Sequence, residues 1–200
     1  MAAPLRPYRR FVASTRGVVA VEFAAILPVL LILLLATFDG GNTIAVYMKV
    51  RAAAYTLAAV TNTYSTAVPI SSSEMSDITG AAAQVLAPYS GSPVVVVSEL
   101  SVSAAKTTTG TVRWSATLNG TALSAGSSVT LPSTLNTANN NTCNTYPCYL
   151  ILAQVSYTYT PLFTYFSKSG ITLSDTVYAT PRSSNCIPYA LQASPASPSC

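Results

Sequence analysis

Histidine is absent from all 200 residues, and charged side chains make up only 8%, against about 25% in an ordinary globular chain. With no histidine and no G-x-S-x-G segment, the many serines lack the usual base of a hydrolase triad. The six acids are scattered, so a paired-carboxylate glycosidase is unsupported, and no phosphate-binding loop occurs. No C-x-x-C pair is present either, which weakens zinc and thioredoxin-like readings together. The chain therefore does not read as an enzyme, and neither a cofactor nor a metal is expected.

The charges that do occur are unevenly placed. Residues 1–17 hold Arg6, Arg9, Arg10 and Arg16 and no acid. Beyond them, Lys49, Arg51, Lys106, Arg113, Lys168 and Arg182 balance Glu22, Asp39, Glu74, Asp77, Glu99 and Asp175. The net charge of +4 thus belongs wholly to the head, and the neutral body has no basic stripe for nucleic acid. The positive-inside rule would hold such a head in the cytoplasm.

After that head comes Val18–Phe38, apolar apart from Glu22 and Thr37 and long enough for a hydrocarbon core of about 30 Å. A cleaved secretory signal would want a small-x-small site after its apolar stretch, and Leu35–Asp39 offers a poor one. A soluble core helix rarely runs so far without a polar face. Glu22 is the anomaly, because a carboxylate near the edge of a membrane helix is costly and usually has a partner. A cut after Gly17 would make Val18 the new N-terminus and Glu22 its fifth residue. The new ammonium would then have a carboxylate to pair with, on its own or a neighbouring subunit. The simpler reading leaves Glu22 idle in the headgroup zone.

Pro28 removes a backbone bond inside this helix and is expected to kink it. Gly40 and Gly41 form a second soft spot, yet the helical pattern resumes: Val46, Val50, Ala53, Leu57, Val60 and Tyr64 share one face. A long helix over 18–66 is expected, its inner half in the membrane and its outer half holding a domain over 67–200. A weaker helix is expected over Glu74–Ala87. The period then changes to two. Val96, Leu100, Val102 and Ala104 share one strand face; Val112, Trp114, Ala116 and Leu118 share another, joined to the first through a hairpin at Lys106–Gly110. Tyr149–Thr160 is a third strand, with Val155, Tyr157 and Tyr159 on one side. Ile171–Thr180 is a fourth, with Ile171, Leu173, Val177 and Ala179 inward. The Ser/Thr/Asn-rich stretch 119–148 reads as a long surface loop, and the proline-broken tail 183–200 as irregular. The fold class is therefore α+β, with a roughly four-stranded antiparallel sheet behind a long N-terminal helix.

All four cysteines, Cys143, Cys148, Cys186 and Cys200, follow the apolar run, so in an N-in chain they enter an oxidising compartment and pair. If strands three and four form a hairpin with Thr160 near Ile171, Cys148 falls opposite the stretch leading to Cys186. That favours bonding Cys186 to Cys148 or Cys143, leaving Cys200 for the other. The local pairing, Cys143 with Cys148 and Cys186 with Cys200, stays open.

Arg16-Gly17, then Ala20 to Ala24 with Glu22 and Phe23 at its centre, then Leu27-Pro28-Val29-Leu30 resemble the TadE-like family of the tight-adherence pilus system. Asp39-Gly40 falls where that family often has an acid and a glycine, and a weaker echo lies in Val155–Leu162, Gly170–Ser174 and Arg182. Arg51–Tyr55 only approximates the family's segment after the helix. The resemblance implies a minor pilin or pseudopilin acting in pilus assembly, adhesion and biofilm formation. It implies a cut between Gly17 and Val18 by a prepilin peptidase, and a role for Glu22 in subunit registration. Its partners would be the bacterial inner membrane, that peptidase, other pilin subunits and the pilus assembly platform. The C-terminal domain would be periplasmic, or carried out on an extracellular pilus. The competing reading is an unprocessed single-span surface protein that binds or adheres without polymerising.

Overall fold

The computed structural model describes residues 17–89, 91–103, 108–135, 147–161 and 170–190. Helix α1 runs from Val18 to Thr61 without a break, through Pro28, Gly40 and Gly41. The chain divides into two units, one ending at Asn42 and one beginning at Thr43.

In the first unit, α1 is a helix whose side chains face outward all round: Val19 and Val21 are each 71% exposed and Leu33 63%. Among the described residues nothing apolar covers them, which is the arrangement of a helix suited to lipid rather than to a protein core. By length and composition, α1 is long and apolar enough to cross a membrane. Thr37, the polar residue late in the run, turns its hydroxyl back onto the Leu33 carbonyl at 2.8 Å, which satisfies it within the helix.

In the second unit, α1 becomes one-sided. Val46, Val50, Ala53, Ala54, Leu57, Ala58 and Thr61 are buried, whereas Ile44, Met48 and Tyr55 stay exposed. The helix stops at Thr61, short of the expected 66, because its last turn tightens. The Thr61 hydroxyl bonds the Leu57 carbonyl, and the Thr63 and Tyr64 amides reach back only three residues. Side chains of the Thr-Asn-Thr type compete with the helical ladder in this way.

Helix α2 covers Ser72–Gln84 rather than Glu74–Ala87. Ser71 is its cap: the hydroxyl accepts from the Glu74 amide, and the Glu74 carboxylate accepts from the Ser71 amide at 2.8 Å. This reciprocal box satisfies two amides that a helix start otherwise leaves bare. After Gln84 the chain leaves in tight turns towards Pro88.

Among the described residues five antiparallel strands follow: β1 (Val94–Val102), β2 (Thr109–Leu118), β3 (Ser128–Thr130), β4 (Cys148–Tyr159) and β5 (Ile171–Ala179). Their order in the sheet is β3-β2-β1-β4-β5. Three successive strands followed by a fourth that returns beside the first make a Greek key. The expected count of four missed β3, which lies inside the stretch read as a loop. A short 3-10 helix, Ser133–Leu135, lies there too. The central part of that stretch, 136–146, lies outside the described residues, as do Lys106 and Ala104.

The sheet is buried on both faces. On one, Val95, Val97, Trp114, Ala116, Ile151, Ala153, Val155, Tyr157 and Tyr159 pack with the stripes of α1 and α2. On the other, Leu100, Val102, Val112, Leu131, Cys148, Leu150 and Leu152 form a second cluster, with Leu123 and Val129 against it. The expected face of β2 is corrected here: Val112 and Trp114 lie in different cores. The β1–β2 register slips between Glu99 and Leu100, so Glu99 faces Trp114 while Leu100 faces Val112. Arg113 is the extra residue of this bulge, and a bulge reverses the alternation past it. Ile171, expected inward, is 38% exposed at the outer end of edge strand β5. The β4–β5 register is also one residue from the expectation, with Tyr159 rather than Thr160 opposite Ile171.

Candidate functional site

The residues singled out in the head segment lie at the start of α1, on more than one of its faces. Gly17 forms the turn that leads into α1, and Val18 is its first residue. Val18 is 51% exposed and Phe23 58%, and Glu22 is exposed as well. Val18 and Glu22 are four apart, so their side chains rise from the same face one turn from each other. An ammonium created at Val18 would lie within one helical turn of the Glu22 carboxylate. Pro28 lies six residues further on, where the helix carries on past its missing amide hydrogen. Arg6, Arg9, Arg10 and Arg16 lie outside the described residues.

The second unit brings together a polar cluster that reading the sequence did not single out. Glu99 sits on the central strand β1 with no exposure at all. Its Oε2 receives the Arg113 guanidinium at 2.9 Å, and its Oε1 accepts the Ile187 amide at 2.6 Å. Trp114 donates its indole Nε1–H to the Ile187 carbonyl at 2.6 Å. Strand β2 reaches Glu99 with two consecutive residues because Arg113 is the bulged one. The guanidinium in turn lies 4.8 Å above the Tyr149 ring, a favourable seat for a cation. Burial pushes the Glu99 carboxyl up to about 7, against the opposing pull of the Ile187 amide and the Arg113 charge. A lone acid inside the run Val94–Val102 was the available signal, since an acid in an apolar strand must find a partner.

Residues 186–190 form a strap held by this cluster. The Ile70 amide donates to the Pro188 carbonyl and the Ala190 amide to the Ile70 carbonyl, both at 2.9 Å. Tyr189 packs its ring 5.6 Å from that of Trp114. Cys186 is fully buried, and both it and Cys148 are disulfide-bonded. Cys143 and Cys200 lie outside the described residues. Of the tail 183–200 the described residues reach 190, and Tyr189 there bridges Ile70.

A shallow cleft of about 600 Å³ lies along β5, between Arg51 and Tyr55 of α1 and Pro132 and Leu135. It gathers one base and one acid, Arg51 and Asp175, and no nucleophile with a base beside it. Among the described residues no group of acids, cysteines or histidines is placed to hold a metal.

The family described as TadE-like protein matches residues 17–59, which cover Gly17, Glu22, Phe23, Pro28 and most of the buried stripe of α1. No curated protein and no solved structure matches the chain. From Gly17 to Ala59, then, the chain is similar to the TadE-like family.

Proposed function

We propose that the chain is a minor pilin, or pseudopilin, of a tight-adherence pilus, cut between Gly17 and Val18 by a prepilin peptidase. The observation that carries this reading is the TadE-like match over 17–59, on a helix whose first turn sets Val18 one turn from Glu22. Residues 1–17 are the leader, and Arg6, Arg9, Arg10 and Arg16 keep it on the cytoplasmic side of the inner membrane. The first part of α1 spans the membrane, bent at Pro28. Its later part carries the α+β domain on the periplasmic side, where the cysteines oxidise.

In this reading Glu22 and Phe23 act in assembly. A carboxylate held in lipid is tolerated when a cation reaches it, and the new ammonium of the subunit or of its neighbour is that cation. The partners are other pilin subunits and the assembly platform, and the outcome is surface adhesion and biofilm formation. In this reading the role is structural rather than catalytic.

The mature N-terminus tests the reading. When the chain is co-expressed with its cognate prepilin peptidase, N-terminal sequencing or intact mass is expected to give Val18. An assembled subunit that still begins at Met1 would instead identify an unprocessed, single-span surface protein.

A further inference from the structure

The sheet has two edges, and they are guarded unequally. At one edge, β3 is three residues long, and a short edge strand is a common way of keeping an edge from pairing. At the other, β5 runs for nine residues and keeps an unbroken register with β4 from Ile171 to Ala179. It has no proline and no bulge, and Asp175 is its only charge. In an antiparallel pair, every second residue of an edge strand turns its N–H and C=O away from its neighbour. Among the described residues nothing meets those outward groups of β5: its one strand neighbour is β4, and no other bond reaches its main chain.

The cleft along β5 defines the shape of molecule that this edge accepts. Asp175, Thr176, Val177 and Tyr178 all line it, and successive residues of a strand point to opposite faces. Val177 packs against the first core and Tyr178 against the second, so the cleft lies across the edge and not on either face. It has a wall on each side. Arg51 and Tyr55 of α1 form one, and Pro132 and Leu135, beside Leu131 of the second core, form the other. The outward main chain of β5 is thus the floor of a slot of about 600 Å³.

We propose that the edge of β5 is a docking site for an extended segment of another polypeptide, which adds to the sheet as a further strand. The floor selects a strand, because a peptide backbone offers donors and acceptors at the repeat of a sheet. The walls select its side chains. An added strand lies about 4.8 Å from β5 and points its residues alternately towards Tyr55 and towards Pro132 and Leu135. The segment is therefore apolar on both sides at its middle. Arg51 and Asp175 balance within the slot, so no net charge is demanded of it. A second copy of the chain is the poorer occupant. Its β3 edge is three residues long, and two β5 strands paired antiparallel about a twofold axis would reverse the outer part of α1 in one copy relative to the other. Two chains inserted alike in one membrane are not related in that way, a step that rests on the membrane reading proposed above.

The test uses the full, uncut chain in detergent micelles, so its result does not depend on processing at Gly17. The probe is the synthetic peptide Lys-Thr-Thr-Val-Val-Val-Thr-Thr-Lys with blocked ends, and its control is the same peptide N-methylated throughout. Residue-resolved amide hydrogen exchange of β5 is followed as peptide is added. Without peptide, alternate amides of 171–179 are expected to exchange fast while the others, bonded to β4, are protected. With peptide, the fast set is expected to gain protection saturably, by about tenfold when the peptide stands near ten times its dissociation constant. The N-methylated peptide is expected to give none. Tyr55→Ala and Leu135→Ala alter an exposed and a half-buried residue, one in each wall. Each is expected to weaken the peptide by about threefold or more, with the protection owed to β4 unchanged. No gain up to the solubility limit of the peptide overturns the proposal. So does a gain in consecutive amides, an equal gain with the N-methylated peptide, or an unmoved affinity in both wall variants. Protection that rises with the concentration of the chain alone places a second copy on the edge, and overturns it likewise.

Discussion

At the scale of single residues, the second unit hangs on a few polar atoms buried where a mistake is expensive. Trp114 illustrates the cost. Its indole N–H is a donor to the Ile187 carbonyl, in a place with no exposure on the strap side. Trp114→Phe keeps an aromatic ring near Tyr189 but strands that carbonyl. An unmet buried acceptor costs about 1–3 kcal/mol, so urea unfolding followed by circular dichroism is expected to show a loss of that size. Equal stability would mean that another donor takes over. Glu99 and Arg113 were visible in the sequence only as two of twelve balancing charges in the body. Their pairing depends on a bulge that no local pattern announces: Val112, Trp114, Ala116 and Leu118 alternate cleanly, and only the partner strand reveals the slip at Arg113. The head residues were picked out in another way: Gly17, Glu22, Phe23 and Pro28 lie at the start of or along one helix, where spacing in sequence is spacing in space.

At the scale of elements, the long helix and four of the strands could be read because each carries its own period. The stripe on α1 from Val46 to Leu57 is buried as its 4-3 spacing requires. Val155, Tyr157 and Tyr159 on β4 share a core with Leu173, Val177 and Ala179 on β5. That agreement demands odd-numbered residues opposite odd-numbered ones, which is the observed register; Thr160 opposite Ile171 would have sent one set to the wrong face. Element ends were read less well, since they are fixed by capping atoms. Helix α2 begins at Ser72 because Ser71 and Glu74 close a box around its first turn. The bonds from Ser71 hold the Glu74 carboxyl below the usual glutamate range, so their contribution is present at neutral pH and lost as pH falls through the acid range. Ser71→Ala removes the cap and is expected to cost about 1 kcal/mol, read as a lower midpoint in thermal or urea unfolding at pH 7. A variant unchanged at pH 7 would show that water replaces the hydroxyl. Strand β3 was missed because three residues are too few to show alternation.

At the scale of the whole molecule, a helix long and apolar enough to cross a membrane and a two-sided sheet domain share one chain, and the TadE-like match covers only the first of these and the start of the second. The assembly role proposed for Glu22 is testable at this scale alone. Glu22→Ala is expected to leave membrane insertion intact, because alanine is no obstacle in an apolar helix. It is expected to lower recovery of the subunit in sheared pili by roughly tenfold or more, the factor that about 1.4 kcal/mol of lost pairing represents. Recovery equal to that of the parent would remove Glu22 from assembly. The Greek key has a further consequence, which concerns time rather than place. A ribosome delivers α1, β1 and β2 first, yet β1 finds its second neighbour only when β4 arrives, some 45 or more residues later by its pairing of Val102 with Cys148. Even then Glu99 waits 88 residues along the chain for the Ile187 amide. The domain therefore cannot finish folding from its own early half. A chain interrupted between Trp114 and Cys186 carries in its centre an acid without its Ile187 amide and an indole without its acceptor, and this marks it as incomplete to any protease that samples it.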